Sequence, residues 1–128
     1  MEQFQLIQTS QDLETAGLVW QPEIGDEIAA RKVPERVSIL VDPQGLTPNE
    51  LRSAYIWLPT TEQLVLQLEL RQAILFHAGL ELGDTLMCYK TIIQSPAGKI
   101  EGEGNSLRLS IANCLRDFLL ADSSDQLH

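Results

Sequence analysis

Residues 85–119 read TLMCYKTIIQSPAGKIEGEGNSLRLSIANCLRDFL, and this stretch decides the class of fold. Thr85 to Gln94 reads as a long strand, Ser95-Pro96-Ala97-Gly98 supplies turn chemistry, and Lys99 to Glu103 returns as the second arm of a hairpin. Side chains alternate along a strand, so Lys99, Glu101 and Glu103 share a face turned to water while Ile100, Gly102 and Gly104 share the other. Asn105 or Ser106 then caps a helix whose Leu107, Ile111, Cys114, Leu115, Phe118 and Leu119 recur at three- and four-residue spacing. Two glycines on the inner face let that helix lie close to the sheet. The stretch therefore predicts a single α+β domain: an antiparallel sheet with a hairpin near 85–103 and a C-terminal helix over about 106–120.

Towards the N-terminus, Thr60-Thr61-Glu62-Gln63 has the layout of a capping box, and a central helix over about 61–78 follows from its helix-forming composition and from Gly79 just past its end. One pattern opposes this: Leu66-Gln67-Leu68-Glu69-Leu70-Arg71 alternates with period 2, which taken alone argues for a strand. Read as a helix, its apolar positions spread around much of the circumference, so it should be sandwiched between layers. Ala54 to Leu58 reads as a strand stopped by Pro59, and Thr47-Pro48 with Glu50 as the start of a short helix. Val37 to Val41 reads as a mostly buried strand, Phe4 to Ile7 as a short strand, and Leu13 to Gly17 as a weak helical turn. Residues 1–121 form the domain, and 122–128, Ser-rich and acidic, read as a flexible tail.

At 128 residues the chain suffices for one ordinary core, hiding about two-thirds of the surface of its unfolded form without a metal or disulfide staple. Nine Lys plus Arg stand against eighteen Asp plus Glu, a net charge of -9. Phosphate binding needs clustered cations, and the only adjacent basic pair is Arg31-Lys32, so direct nucleic-acid binding is disfavoured. The apolar runs fall short of the roughly 20 residues that cross a bilayer, and the N-terminus lacks the pattern of a signal peptide, which together point to a cytoplasmic protein with no membrane partner.

The reactive side chains are dispersed. Cys88 and Cys114 lie in no C-x-x-C or Cys/His spacing and read as core cysteines; a Cys88–His77 dyad would need a tertiary contact. His77, near the end of the central helix, would favour its negative end. Glu23, Asp26 and Glu27, then Glu101 and Glu103, then Asp117 and Asp122 form loose carboxylate groups that read as solvated faces, without the ligand density of a calcium loop. Gly102-Glu103-Gly104-Asn105-Ser106 has no lysine of a phosphate loop. No catalytic residue, metal or cofactor is assigned. Trp20, Tyr55 and Trp57 are the candidate partner-binding residues, Tyr55 and Trp57 on one face of their strand; the alternative is that all three are core.

Trp20-Gln21-Pro22-Glu23-Ile24-Gly25-Asp26-Glu27 with Ile56-Trp57-Leu58-Pro59-Thr60-Thr61-Glu62-Gln63-Leu64 resembles an arrangement in short prophage-type α/β sandwich proteins of unassigned function. Ile100 to Ser106, followed by the helix carrying Ile111, Ala112 and Cys114, is similar to the strand-to-helix step of small phage proteins of that kind. It is also similar to the last strand and helix of double-stranded-RNA-binding domains. Those RNA binders place lysines at the helix start, where this chain has only Arg108, so their activity is not carried over. The favoured reading is a non-enzymatic interaction or accessory protein, mobile-element associated, that binds a protein partner or a second copy of itself. An acidic, antitoxin-like regulator covering a basic or nucleic-acid-binding partner is the alternative, and a small enzyme with a carboxylate or Cys88 site the third.

Overall fold

The computed structural model describes residues 2–83 and 86–126. The first helix, α1 (Glu2–Thr15), replaces the strand expected at Phe4 to Ile7. Leu6, Ser10 and Leu13 are buried at helical spacing while Phe4 is exposed, a period that a four-residue window does not reveal. Gly17, at φ 111°, ends it, with the Leu18 amide donating to Leu13 O at 2.9 Å. A first antiparallel sheet has the order β2-β1-β3, from β1 (Glu27–Ala30), β2 (Val37–Ile39) and β3 (Tyr55–Trp57). β2 is one of its two edge strands and Ile39 is exposed, which corrects the expectation of a mostly buried strand there.

Both expected capping boxes are present. Thr47 and Glu50 start α2 (Pro48–Ala54), and Thr60 and Gln63 start α3 (Thr61–Leu70). In α2 the Glu50 carboxylate is held below its ordinary pKa by the Thr47 amide and hydroxyl that it meets. α3 is shorter than the 61–78 helix expected. Gln72 adopts φ 61°, the Ala73 amide donates back to Leu68 O at 3.0 Å, and the chain leaves as β4 (Ile74–Leu82). Ile74, Leu75 and Phe76 favour extended backbone, and Gly79, read as a helix stop, lies within the strand. The period-2 pattern at Leu66 to Arg71 thus made no strand: cap and composition prevailed there, and the extended backbone begins only at Ile74.

The second sheet is an antiparallel meander in the order β4-β5-β6, with β5 (Met87–Ser95) and β6 (Gly98–Gly104) forming the expected hairpin. Thr85, taken as its first residue, lies outside the described residues. Ser95 pairs with Gly98 across the turn, where Ser95 Oγ donates to Gly98 O at 2.8 Å. A bulge between Leu75 and His77 interrupts the β4–β5 ladder. The expected single sheet is therefore two three-stranded sheets in one α+β body.

The last helix, α4 (Leu107–Gln126), runs on into the stretch read as a tail. It lies against β6 and β5, and α1 and α3 flank it. Its closeness to the sheet depends on two glycines. A Cβ on Gly102 would stand 2.6 Å from Cys114 N and 2.7 Å from Ser110 O; one on Gly104 would stand 2.8 Å from Ser110 N. Backbone cannot yield as a flexible side chain does, so no larger residue fits without separating helix from sheet. Beneath this contact the Thr91 and Ser110 hydroxyls meet at 2.8 Å, fully buried, joining β5 to α4.

Arg108 joins the two sheets. Its guanidinium pairs with Glu27 of β1 at 2.8 Å and donates to the carbonyls of Pro59 at 2.7 Å and Leu58 at 2.6 Å. Three acceptors from the first sheet and its exit are thereby held to the start of α4. The Gly102→Ala variant should lose about 3 kcal/mol of unfolding free energy in urea titration, as overpacking against a fixed backbone does.

Candidate functional site

The candidate partner-binding aromatics are placed on the inside. Trp20 and Trp57 are 5% and 8% exposed and Tyr55 is half-buried, all three packed in the main core, Tyr55 and Trp57 on the shared strand face that alternation requires. The uncovered-face condition on which they would form a patch is met by neither tryptophan.

Trp20 instead helps build a buried polar knot. Its indole Nε1 donates to Asp26 Oδ2 at 2.8 Å, the Glu23 amide donates to the same oxygen at 3.0 Å, and Gln63 Nε2 donates to Asp26 Oδ1 at 2.9 Å. Asp26 is 5% exposed, which corrects the reading of a solvated Glu23, Asp26 and Glu27 face. Gln63 does two jobs here, since its Oε1 accepts from the Thr60 amide at 2.8 Å in the capping box. One carboxylate thus fixes the loop before β1, the Trp20 ring and the start of α3. Every acceptor position in use faces a protein donor, so the group is structural. Nothing in the spacing of these residues reveals this, because Gln63 joins Asp26 only through the tertiary fold.

The cysteines do not converge on a base. Cys114 is fully buried; its thiol lies 3.6 Å from Ile100 O, and burial, aided by the Asp117 charge, pushes its pKa up to about 12. It is a neutral core group at neutral pH. Cys88 is half-buried on β5, opposite Glu81 of β4. His77 is not at a helix end but on β4 opposite Ile92, with its Nε2 buried and lacking a hydrogen-bond partner.

On the outer face of the second sheet, Lys90 lies 3.9 Å from Glu81 and 3.7 Å from Glu101, and Lys99 lies 3.5 Å from Glu101. These are partly exposed pairs of small net worth, a solvated face as expected. Glu103 borders an open hollow of about 410 Å³ between α1 and α4, where Arg116 faces Asp12 at 3.8 Å. Arg108, the one cation near the start of α4, is already engaged by Glu27 and two carbonyls. Among the described residues no group of three or more His, Cys, Asp or Glu side chains is placed to hold a metal ion, and no helix is long and apolar enough to cross a membrane.

The feature that sequence reasoning missed is an apolar strip. Leu66 and Leu70 of α3 are exposed, on the side away from its buried Leu64 and Leu68, so the expected second layer over this helix is not supplied by the described residues. Exposed apolar side chains continue along β4 at Ile74, Leu75, Phe76 at 77% exposure, Leu80, and Leu82 at 79%, on both faces of the strand, since Ile74 lies opposite Gln94 and Leu80 and Leu82 opposite Tyr89 and Met87. The signal was in the sequence, as the circumferential spread of leucines in α3, but the chain's own layers were assumed to cover it.

Comparisons with protein-family models, with curated proteins and with solved structures find no match to this chain.

Asp26→Ala should cost about 3 kcal/mol of unfolding free energy and change Trp20 fluorescence, because three donors lose a charged acceptor at once. Raising the pH should also weaken the fold through Cys114. Between the ordinary thiol value of 9.0 and about 12 the unfolded thiol releases a proton that the folded one retains, so stability falls across that window. Cys114→Ala should flatten this part of the stability profile, as read by urea midpoints at stepped pH.

Proposed function

We propose that this chain is a non-enzymatic interaction protein of the cytoplasm that recognises a protein partner, and not nucleic acid, through the apolar strip running from Leu66 to Leu82. The single observation that carries the reading is the apolar exposure of that segment: seven large apolar side chains exposed between Leu66 and Leu82, along one helix-to-strand stretch of chain. Isolated exposed leucines are ordinary, but a run of this kind marks an interaction surface. The net charge of -9 fits the same reading, since it keeps the free protein soluble while leaving the strip uncharged. The neutralised state of Arg108 supports the exclusion of RNA that its missing lysine neighbours imply. An association with mobile elements remains a proposal resting on the resemblance alone.

The test is a photo-crosslinking amino acid placed at Leu82 in the full chain, expressed in the cells that make it. Val41, 75% exposed against 79% for Leu82, serves as the matched control, in the loop after β2. Discrete adducts from position 82 and none from 41 are the expected result; equal or absent adducts at the two positions overturn the proposal. An adduct that persists in high salt fits apolar docking, whereas one lost in salt fits the acidic-regulator alternative.

A further inference from the structure

The two edges of the second sheet are unlike. β6 ends the sheet with Lys99, Glu101 and Glu103 along it, the charges by which natural edges resist strand addition. β4 ends the other side with the sequence ILFHAGLEL, which carries no lysine, arginine or proline and one acid, Glu81. Its outward backbone amides and carbonyls have no neighbouring strand. Only the bulge at Phe76 disturbs it, leaving His77 to Leu82 as a regular open edge.

We infer that β4 pairs antiparallel with β4 of a second copy of this chain about a two-fold axis at Gly79; this deepens the interaction reading above and rests on it. Charge and shape select both the occupant and the register. A two-fold pair centred on Gly79 sets His77 opposite the partner's Glu81, and Glu81 opposite the partner's His77. This is the one two-fold register that makes those residues cross-strand neighbours, and it does so twice. Glu81, which in its own chain faces Lys90 at 3.9 Å, then also meets the partner's imidazole across the joint. On the opposite side of the strand the same register sets Ala78 opposite the partner's Leu80, and Phe76 beside the partner's Leu82. The axis itself falls on a glycine, so the axial pair adds no side chain to either face of the joint.

Sedimentation equilibrium of the full chain should give a dimer at micromolar concentration. Gly79→Cys in a Cys88→Ser background should form an intermolecular disulfide in glutathione buffer, and Glu101→Cys in the same background should not. The first substitution is compatible with the fold, since a Cβ at Gly79 meets only the His77 ring at 3.6 Å. His77→Glu, with unchanged helix content by circular dichroism, should weaken dimerisation about tenfold by setting like charges opposite each other, and His77→Glu combined with Glu81→His should restore it. A monomer, or a dimer that Gly79→Cys fails to link and His77→Glu fails to weaken, overturns the inference. A monomeric chain whose position-82 photo-adduct holds a different protein overturns the dimer and leaves the interaction reading standing; a monomer with no adduct at 82 overturns both.

Discussion

The approach of α4 to β6 sets the geometry of everything around it. With Gly102 and Gly104 beneath, the helix backbone rests on the sheet backbone, and the layers that would otherwise be separated by side chains come into direct contact. Ile93, Leu109, Ile111 and Leu115 then fill the space on either side of that contact line, while Thr91 and Ser110 satisfy each other inside it. Because α4 is held this low, α1 and α3 can both reach it, and Arg108 at its start can reach the carbonyls leaving β3. One contact between two glycines and one helix thus determines where the first sheet stands.

Two charged groups do the remaining orientation, and both are buried or half-buried with their partners complete. Asp26 collects donors from a loop, an indole and a helix start; Arg108 collects acceptors from a strand and a helix approach. Breaking either leaves several unmet polar groups at once, which is why such knots specify a unique arrangement more than they add net stability. Their completeness also separates scaffold from function. Acidic residues that looked available in the sequence are in part committed to holding the fold, Asp26 and Glu27 among them.

Local chemistry was legible where local chemistry decides. The hairpin turn at Ser95 to Gly98, both capping boxes, Pro59 as a strand stop and the glycine face beneath α4 were all readable, because each depends on residues within a few positions of one another. The N-terminal helix was not, since Leu6, Ser10 and Leu13 show their period only over two turns. The end of α3 was misplaced because Gln72 adopts a left-handed conformation that glycine would have announced. The tryptophans, chosen for what their side chains favour at interfaces, were taken up by the core. The surface that stays open is made of leucines that pattern alone had assigned to the interior.

Strand addition also has a direction in this molecule. Of the two margins of the second sheet, one is fenced by a lysine and two glutamates and the other is bare. A sheet bare on both sides grows without limit, as fibrils do, whereas one with a single bare side is satisfied after a single joining event. The charged hem of β6 is therefore a terminator in waiting: it would confine any strand addition to the β4 side.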